Sequence, residues 1–499
     1  MVVSAALMTV AFPPLDLGFV AWIGLAPLLY ALLNARRPRH AFALGYLFGY
    51  VHWGLTVTWI GTTVVVWSGT HWGWIAWILL VAIKSLWFGL FGFVAWWIVR
   101  RSDGVGRILG LAAAWTVIEW LRGQTMVAMP WSLIGYTQYR YLPIIQAADL
   151  GGIYLVSFAI VLVNAGVGHW ALGVGKSSSS SVVTADARNL AVPLVFVIVM
   201  LCYGGFRLGK DYPGETIRLA LMQPNEVSGR YETKSQAEAL LKYRRMADSV
   251  SSEGPTVMIW PESTVEQAVD DPESRRAFSE IAKKTGAYQI VGTGFADESG
   301  ASHNSAALFS PAGEIAARYD KHWLVPFGEW VPLRAYLPFG SIFGFPERDV
   351  VPGESDSLLE AGPAKMSVLI CYESVFPILS RVRTAAGANL LVSITNDSWA
   401  GESAELMQHH AMTALRAVET RRYVASAATT GITALIDPTG KSVRIPAYRE
   451  GFLVTEARLC TGFSLYVRWG DWFVLVCGIM VILGLAGIPR KNALNYSQL

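Results

Sequence analysis

The feature that most constrains this chain is a series of long apolar runs filling its first 208 residues. A bilayer's hydrocarbon core, about 30 Å thick, takes roughly 20 apolar residues of helix to cross. Runs of that kind lie at about 1–12, 17–34, 41–66, 72–99, 106–122, 152–174 and 190–208, and another at 469–488. The first is short and ends at Pro13-Pro14. A cleaved leader is its rival reading, but the run lacks a basic flank and a convincing small-residue cleavage site. The expectation is about eight crossings. About seven form a helical membrane bundle over 1–210, and the last is a single helix at 469–488.

Composition agrees with a membrane protein. Of the 499 residues, 53% are hydrophobic and 15% charged, whereas soluble domains carry about 25% charge. A net charge of +3 without a dense basic stretch excludes charge-driven binding of nucleic acid. The four cysteines, Cys202, Cys371, Cys460 and Cys477, show no CxxC spacing. Neither a disulfide framework nor a structural zinc site is expected. Cys202 and Cys477 fall inside apolar runs and read as buried small hydrophobes.

Orientation follows from the basic residues of the short loops. Arg36, Arg37 and Arg39, then Arg100, Arg101 and Arg107, then Lys176 and Arg188, then Arg490 and Lys491 share one side if the runs alternate. The opposite loops carry little positive charge beyond Arg140. Both termini are therefore expected in the cytoplasm and residues 216–459 outside it. Lys84 lies mid-run and needs a partner or a wet cavity. It reads either as lining a lipid cavity or as half of a structural pair with a neighbouring helix. Trp53, Trp59, Trp67, Trp72, Trp74 and Trp131 read mostly as an interfacial belt.

From 216 to 459 the pattern changes to that of an α/β protein. Short apolar segments at 217–222, 257–260, 366–370 and 390–394 each run into a polar cluster, as buried strands do. Helical stretches at 234–249 and 405–422 lie between them, so a layered α/β fold is expected. The chemistry sits at the strand ends. Cys371 follows one strand, Glu262 another, and Lys321 lies in the segment YDKHWLVPFGE. Together such residues form a nucleophile, a general base and an oxyanion-stabilising cation. Singly, each has a plainer reading: a core thiol, a turn acid or helix cap, and a surface amine. Glu329 and Glu373 read as supports of Lys321 or as ordinary loop acids. His303, His322, His409 and His410 fit no common metal-ligand spacing, so no metal is expected; no cofactor is expected either.

The order Pro261-Glu262-Ser263, Tyr319-x-Lys321 with PFGE, Cys371-Tyr372-Glu373 and Asn396-Asp397-Ser398-Trp399 resembles the nitrilase superfamily. With the apolar runs, Trp115 to Gly123, Pro130-Trp131 and LVPFGEWVP, the chain is similar to the apolipoprotein N-acyltransferases, over about residues 1–490. The resemblance implies an extracytoplasmic αββα sandwich at 216–459 facing the periplasm from a bacterial inner membrane. It implies acyl transfer from a phospholipid, commonly phosphatidylethanolamine, through a cysteine thioester to the N-terminal amine of a diacylglyceryl apolipoprotein. A monomer suffices for that. Glu262, Lys321 and Cys371 would be catalytic, with Glu329, Tyr372 and Glu373 in support. Tyr231, Phe339 and Phe343 would contact lipid. The segment 333–346, which holds both phenylalanines, reads either as an acyl-guiding lid or as a packed loop. Thr430, Ala400 and Ser426 depart from the usual pattern and bear on pocket shape. Two rivals stand beside this reading: a membrane-tethered amidase that uses water, and a non-enzymatic lipid transporter or scaffold.

Overall fold

A computed structural model describes residues 1–174, 180–226, 236–265, 270–336, 343–355 and 357–486, with side chains not described at 173–174 and 180–188. The expectations placed on Lys176, Tyr231, Phe339, Arg490, Lys491 and the Arg188 side chain lie outside these residues. The chain divides into two units. One is Met1–Thr58, Ile75–Gly209 and Trp469–Leu499; the other is Trp59–Trp74 and Lys210–Arg468.

The first unit is helical. Among the described residues, four helices are long and apolar enough to cross a membrane: Trp72–Arg101, Gly104–Arg122, Ile153–Leu172 and Asn189–Leu208. The 17–34 run is broken into Gly18–Val20, Ala21–Gly24 and Ala26–Asn34. Buried Asn164 holds this broken segment. Its Oδ1 accepts from Leu25 N and Ala26 N at 2.8 and 2.9 Å, and its Nδ2 donates to Ala21 O at 2.8 Å. The first run forms a helix of only nine residues, Val2–Val10, about 14 Å long at 1.5 Å per residue.

Three expectations change here. The 41–66 run is not one helix; it divides at Val57 into Pro38–Thr56 and Thr58–Ser68. From Trp59 to Trp74 the chain clusters with the second unit, because the Trp59 indole N–H donates to Gln408 Oε1 at 3.1 Å and its ring lies 5.6 Å from that of Trp399. The tryptophans do not form a single belt. Trp53, Trp59 and Trp131 are buried, while Trp67, Trp72 and Trp74 are exposed. Cys477 is buried as expected, but Cys202 is exposed, on a helix whose apolar surface faces outward. Lys84 is buried and donates to the Val127 carbonyl at 2.6 Å, so it has a structural partner, a loop carbonyl.

Among the described residues, the second unit holds two six-stranded sheets. The strands are β1 (Gly214–Gln223), β2 (Val257–Ile259), β3 (Tyr288–Ala296), β4 (Ser302–Phe309), β5 (Ile315–Asp320), β6 (Leu359–Ala361), β7 (Ala364–Ile370), β8 (Leu390–Thr395), β9 (Val424–Ala428), β10 (Ala434–Ile436), β11 (Ser442–Arg444) and β12 (Gly451–Cys460). Their orders are β12-β1-β2-β3-β4-β5 and β11-β10-β9-β8-β7-β6. β1, β2 and β3 run parallel, as do β7, β8 and β9.

The layering follows from the period of two along each strand. Ile217, Leu219 and Leu221 of β1 point into the core between the sheets, where they join Met366, Val368 and Ile370 of β7. Ala220 and Met222 point the other way, onto Leu240, Tyr243 and Phe278 of the helices Gln236–Ser251 and Pro272–Thr285. On the far face of the second sheet, Leu391 and Val424 meet Ala414 and Ala417 of the helix Glu405–Thr420. The result is an αββα sandwich. A strand buried on both faces reads as a continuous apolar run, and LALM in β1 and MSVLI in β7 have that form.

Candidate active site

Four strand ends meet at one end of the sandwich. β2 leads to Glu262, β5 to Lys321, β7 to Cys371 and β8 to Asn396-Asp397. A rigid sheet is what fixes such groups to within a fraction of an ångström.

The turn after β2 lies tight against β3. Trp260 N donates to Ile290 O at 2.9 Å and Thr264 N to Gly292 O at 3.0 Å. A Cβ on Gly292 would stand 2.2 Å from Pro261 O and 2.5 Å from Glu262 Cα, so only glycine lets the turn sit there. Glu262 is buried. Its Oε1 lies 3.3 Å from Lys321 Nζ and accepts from Asn304 Nδ2 at 2.7 Å, and its Oε2 accepts from Asn396 N at 2.9 Å.

Lys321 is fully buried, and its ammonium also lies 2.9 Å from Glu329 Oε1. Burial works against the charged amine, but Glu262 and Glu329 outweigh it and hold its pKa well above the usual lysine value. Glu329 is set by its own loop, its Oε2 accepting from Val325 N at 2.7 Å. Asn304 joins the two acids, donating also to Glu329 Oε1 at 2.8 Å.

Cys371 is buried and has φ +52°. A non-glycine residue in the left-handed region stores strain, and it turns the side chain sharply off the strand end, as a nucleophile elbow does. Burial first, and the charge of Glu262 second, push the thiol pKa well up, against the pull of Lys321. The resting group is therefore a protonated thiol, and Glu262 is the carboxylate whose charge acts on it most.

Glu373 does not touch the Lys321 ammonium; it holds the backbone on both sides of the site. Its Oε1 accepts from Tyr319 Oη at 2.6 Å, His322 N at 2.8 Å and Trp323 N at 3.2 Å, and its Oε2 accepts from Ile370 N at 2.8 Å. One carboxylate thus ties the strand carrying Lys321 to the strand carrying Cys371. Tyr372 is half-buried, with its ring 5.0 Å from Phe376, which in turn lies 3.9 Å from Trp323. Burial pushes its phenol pKa up. Phe343 stacks on Phe345 at 5.6 Å, and Phe345 lies 5.2 Å from Phe327 of the Glu329 loop. Of the three residues expected to contact lipid, Phe343 alone falls among the described residues.

Two groups escape the sequence reading. Asn304 sits in β4 without any motif; it reaches the acids because β4 pairs with β5 and Lys321 N donates to Asn304 O at 2.7 Å. His409 lies directly behind Cys371. Its Nδ1 is 3.2 Å from Asp397 Oδ1, and its Nε2 is 2.7 Å from Ser374 Oγ and 3.3 Å from the Cys371 carbonyl. Ligand atoms of Asp397, Glu405 and His409 all fall within 4.8 Å of one another, a grouping that spacing along the chain does not reveal.

Residues 4–166 match the family model of the apolipoprotein N-acyltransferase N-terminal domain, and residues 218–459 match that of carbon-nitrogen hydrolase. An apolipoprotein N-acyltransferase of Geobacter metallireducens is 34% identical over 98% of this chain and 95% of its own length. The chain belongs to the apolipoprotein N-acyltransferase family. A second apolipoprotein N-acyltransferase, from Gloeobacter violaceus, is 32% identical over 95% of this chain and 91% of its own. Among solved structures, a carbon-nitrogen hydrolase of Helicobacter pylori aligns at 14% identity and TM-score 0.41, covering 52% of this chain and 95% of that one.

Proposed function

We propose that this protein N-acylates lipoproteins in two half-reactions that share Cys371. In the first, Glu262 takes the thiol proton while the sulfur attacks the ester carbonyl of a phospholipid, phosphatidylethanolamine on the family's pattern. Lys321 stabilises the oxyanion. The carbon–oxygen bond breaks, the proton passes from Glu262 to the glycerol oxygen, and a lysophospholipid leaves behind a Cys371 thioester. In the second, the α-amine of a diacylglyceryl-cysteine attacks that thioester. Glu262 takes the amine proton, the carbon–sulfur bond breaks, and the proton returns to sulfur, leaving an amide.

The observation that carries this reading is the shared ion pairing of buried Lys321 with Glu262 and Glu329, beside the strained turn of Cys371. An ammonium held there meets a forming oxyanion without reorganising, and a base stands ready for a thiol that is protonated at rest. Glu329, Tyr372 and Glu373 support the three, and Tyr231, Phe339 and Phe343 contact the acyl chain.

The membrane arrangement is part of the same proposal. The four long helices and the shorter apolar ones make about eight crossings of a bacterial inner membrane, seven before residue 210 and one at 469–488. Both termini are cytoplasmic, and a monomer presents residues 216–459 to the periplasm, where both lipid substrates reach Cys371. The test is Cys371→Ala in the purified full-length protein, given phosphatidylethanolamine and a diacylglyceryl peptide. Mass spectrometry should find triacylated peptide with the parent and none with the variant. Product from the variant would end the thioester route.

A further inference from the structure

The hydrogen bonds around His409 specify which protons its ring carries. His409 Nε2 lies 3.3 Å from the Cys371 carbonyl, an oxygen that can only accept, and 2.7 Å from Ser374 Oγ, which can accept there as well. The contact with the carbonyl calls for a hydrogen on Nε2. Nδ1 faces the Asp397 carboxylate at 3.2 Å, with Glu405 Oε1 at 3.8 Å, and there too a hydrogen is needed. A ring with N–H on both sides is an imidazolium. Such a ring has no lone pair left for a metal ion.

We infer that His409, kept as an imidazolium by Asp397, is a positioning residue for the nucleophile: it grips the carbonyl of the strained Cys371 turn and so fixes where the thiol points. The role rests on reading Cys371 as the acyl carrier. With Glu373 holding Ile370 N on one side and His409 with Ser374 holding the Cys371 carbonyl on the other, the turn is fixed at both peptide bonds. The ring itself is fixed by its helix, Glu405–Thr420, and by a cluster in which every member is buried.

The groups facing the ring support this. They are the Asp397 carboxylate after β8, Glu405 one turn back on the same helix, and the backbone carbonyl of Cys371. Burial lowers the imidazole pKa, but Asp397, by its charge and its hydrogen bond, does most to overcome it, and the group rises from 6.5 to about 9. Glu405 is pushed well up by burial and by Asp397, and its Oε2 has no hydrogen-bond partner; both favour its neutral form. One carboxylate then balances one imidazolium. The adjacent His410 is lowered to about 3 by burial, with Arg444 adding to the effect, and stays neutral.

The test compares the parent with His409→Gln and Asp397→Asn in full-length protein, following the single-turnover rate of Cys371 thioester formation from phosphatidylethanolamine against pH. Loss of a charge-assisted hydrogen bond should slow His409→Gln by about tenfold or more at pH 7, with the KM for phospholipid unchanged. Asp397→Asn leaves burial unopposed, so the imidazole should lose its proton at or below its ordinary value of about 6.5, and the variant's rate should already be falling as pH rises from about 5 toward 6.5. The parent should show that falling limb only near pH 9, a reading available even if a variant does not fold. Parental rates in His409→Gln, a loss in Asp397→Asn that does not vary with pH, or a parent without the falling limb would each overturn the role. Cys371→Ala separates the two ideas: product from it defeats the thioester reading, whereas a dead Cys371→Ala beside an unimpaired His409→Gln defeats only the positioning role.

Discussion

Replacing Glu373 by glutamine should loosen the Lys321 strand from the Cys371 strand without changing the shape of the core. The carboxylate is fully buried and accepts four hydrogen bonds, three at Oε1 and one at Oε2. Glutamine offers one acceptor oxygen. Set where Oε1 stands, it keeps three bonds as neutral ones and turns its NH2 toward the N–H of Ile370. Leaving that donor unpaired costs about 1–3 kcal/mol, and loss of the ionised acceptor weakens the other three, for a sum on the order of 4 kcal/mol. Domains of this size lose roughly 2–4 °C of Tm per kcal/mol, so melting should drop by about 10 °C while the protein still folds at room temperature. Ile370 immediately precedes Cys371, and a displacement of about 1 Å at a reacting atom costs on the order of a hundredfold in rate. Single-turnover thioester formation, followed beside thermal unfolding in detergent, measures both. If Glu373→Gln keeps its melting temperature and acylates within twofold of the parent, the clamp described here does not position the site.

Lys321→Met should lower thioester formation by about 10²–10³, the usual effect of removing an oxyanion donor, in the same single-turnover assay. Gly292→Ala forces a methyl against Pro261 O and Glu262 Cα, and both are backbone atoms. Thermal unfolding should show it markedly destabilised, and its activity should be lost at temperatures where the parent works. With the thiol pKa pushed up by burial and by Glu262, iodoacetamide labelling mapped to Cys371 should keep rising with pH beyond the usual thiol value of about 8.5. A plateau below pH 7 would instead mean a stored thiolate.

The groups proposed to react were legible because each stands at the end of a short apolar strand, where period and punctuation speak clearly. Glu262, Lys321 and Cys371 each stand within a motif of their own. Asn304 does not: only the β4–β5 register brings it to both acids. His409 lay hidden for a similar reason, since its partners Asp397 and Ser374 lie on other elements and a buried ion pair leaves no pattern along a chain. The strain at Cys371 was equally silent, because a positive φ at a non-glycine residue is imposed by its surroundings. In the helical unit, apolar length counted residues but could not say what they face. Val57 interrupts a run that hydropathy joins, and beyond it Trp59 turns to Gln408 and Trp399. The same blindness merged buried Trp53 and Trp131 with exposed Trp67 and Trp72.

The central claim is that Cys371 carries the acyl group between donor and acceptor. Purified protein incubated with acyl-labelled phosphatidylethanolamine, and no acceptor, measures this directly. The label should attach to the protein in an amount equal to the active enzyme, be released by neutral hydroxylamine, and map to the peptide containing Cys371. Label that resists hydroxylamine, or that sits on any other residue, would contradict the account.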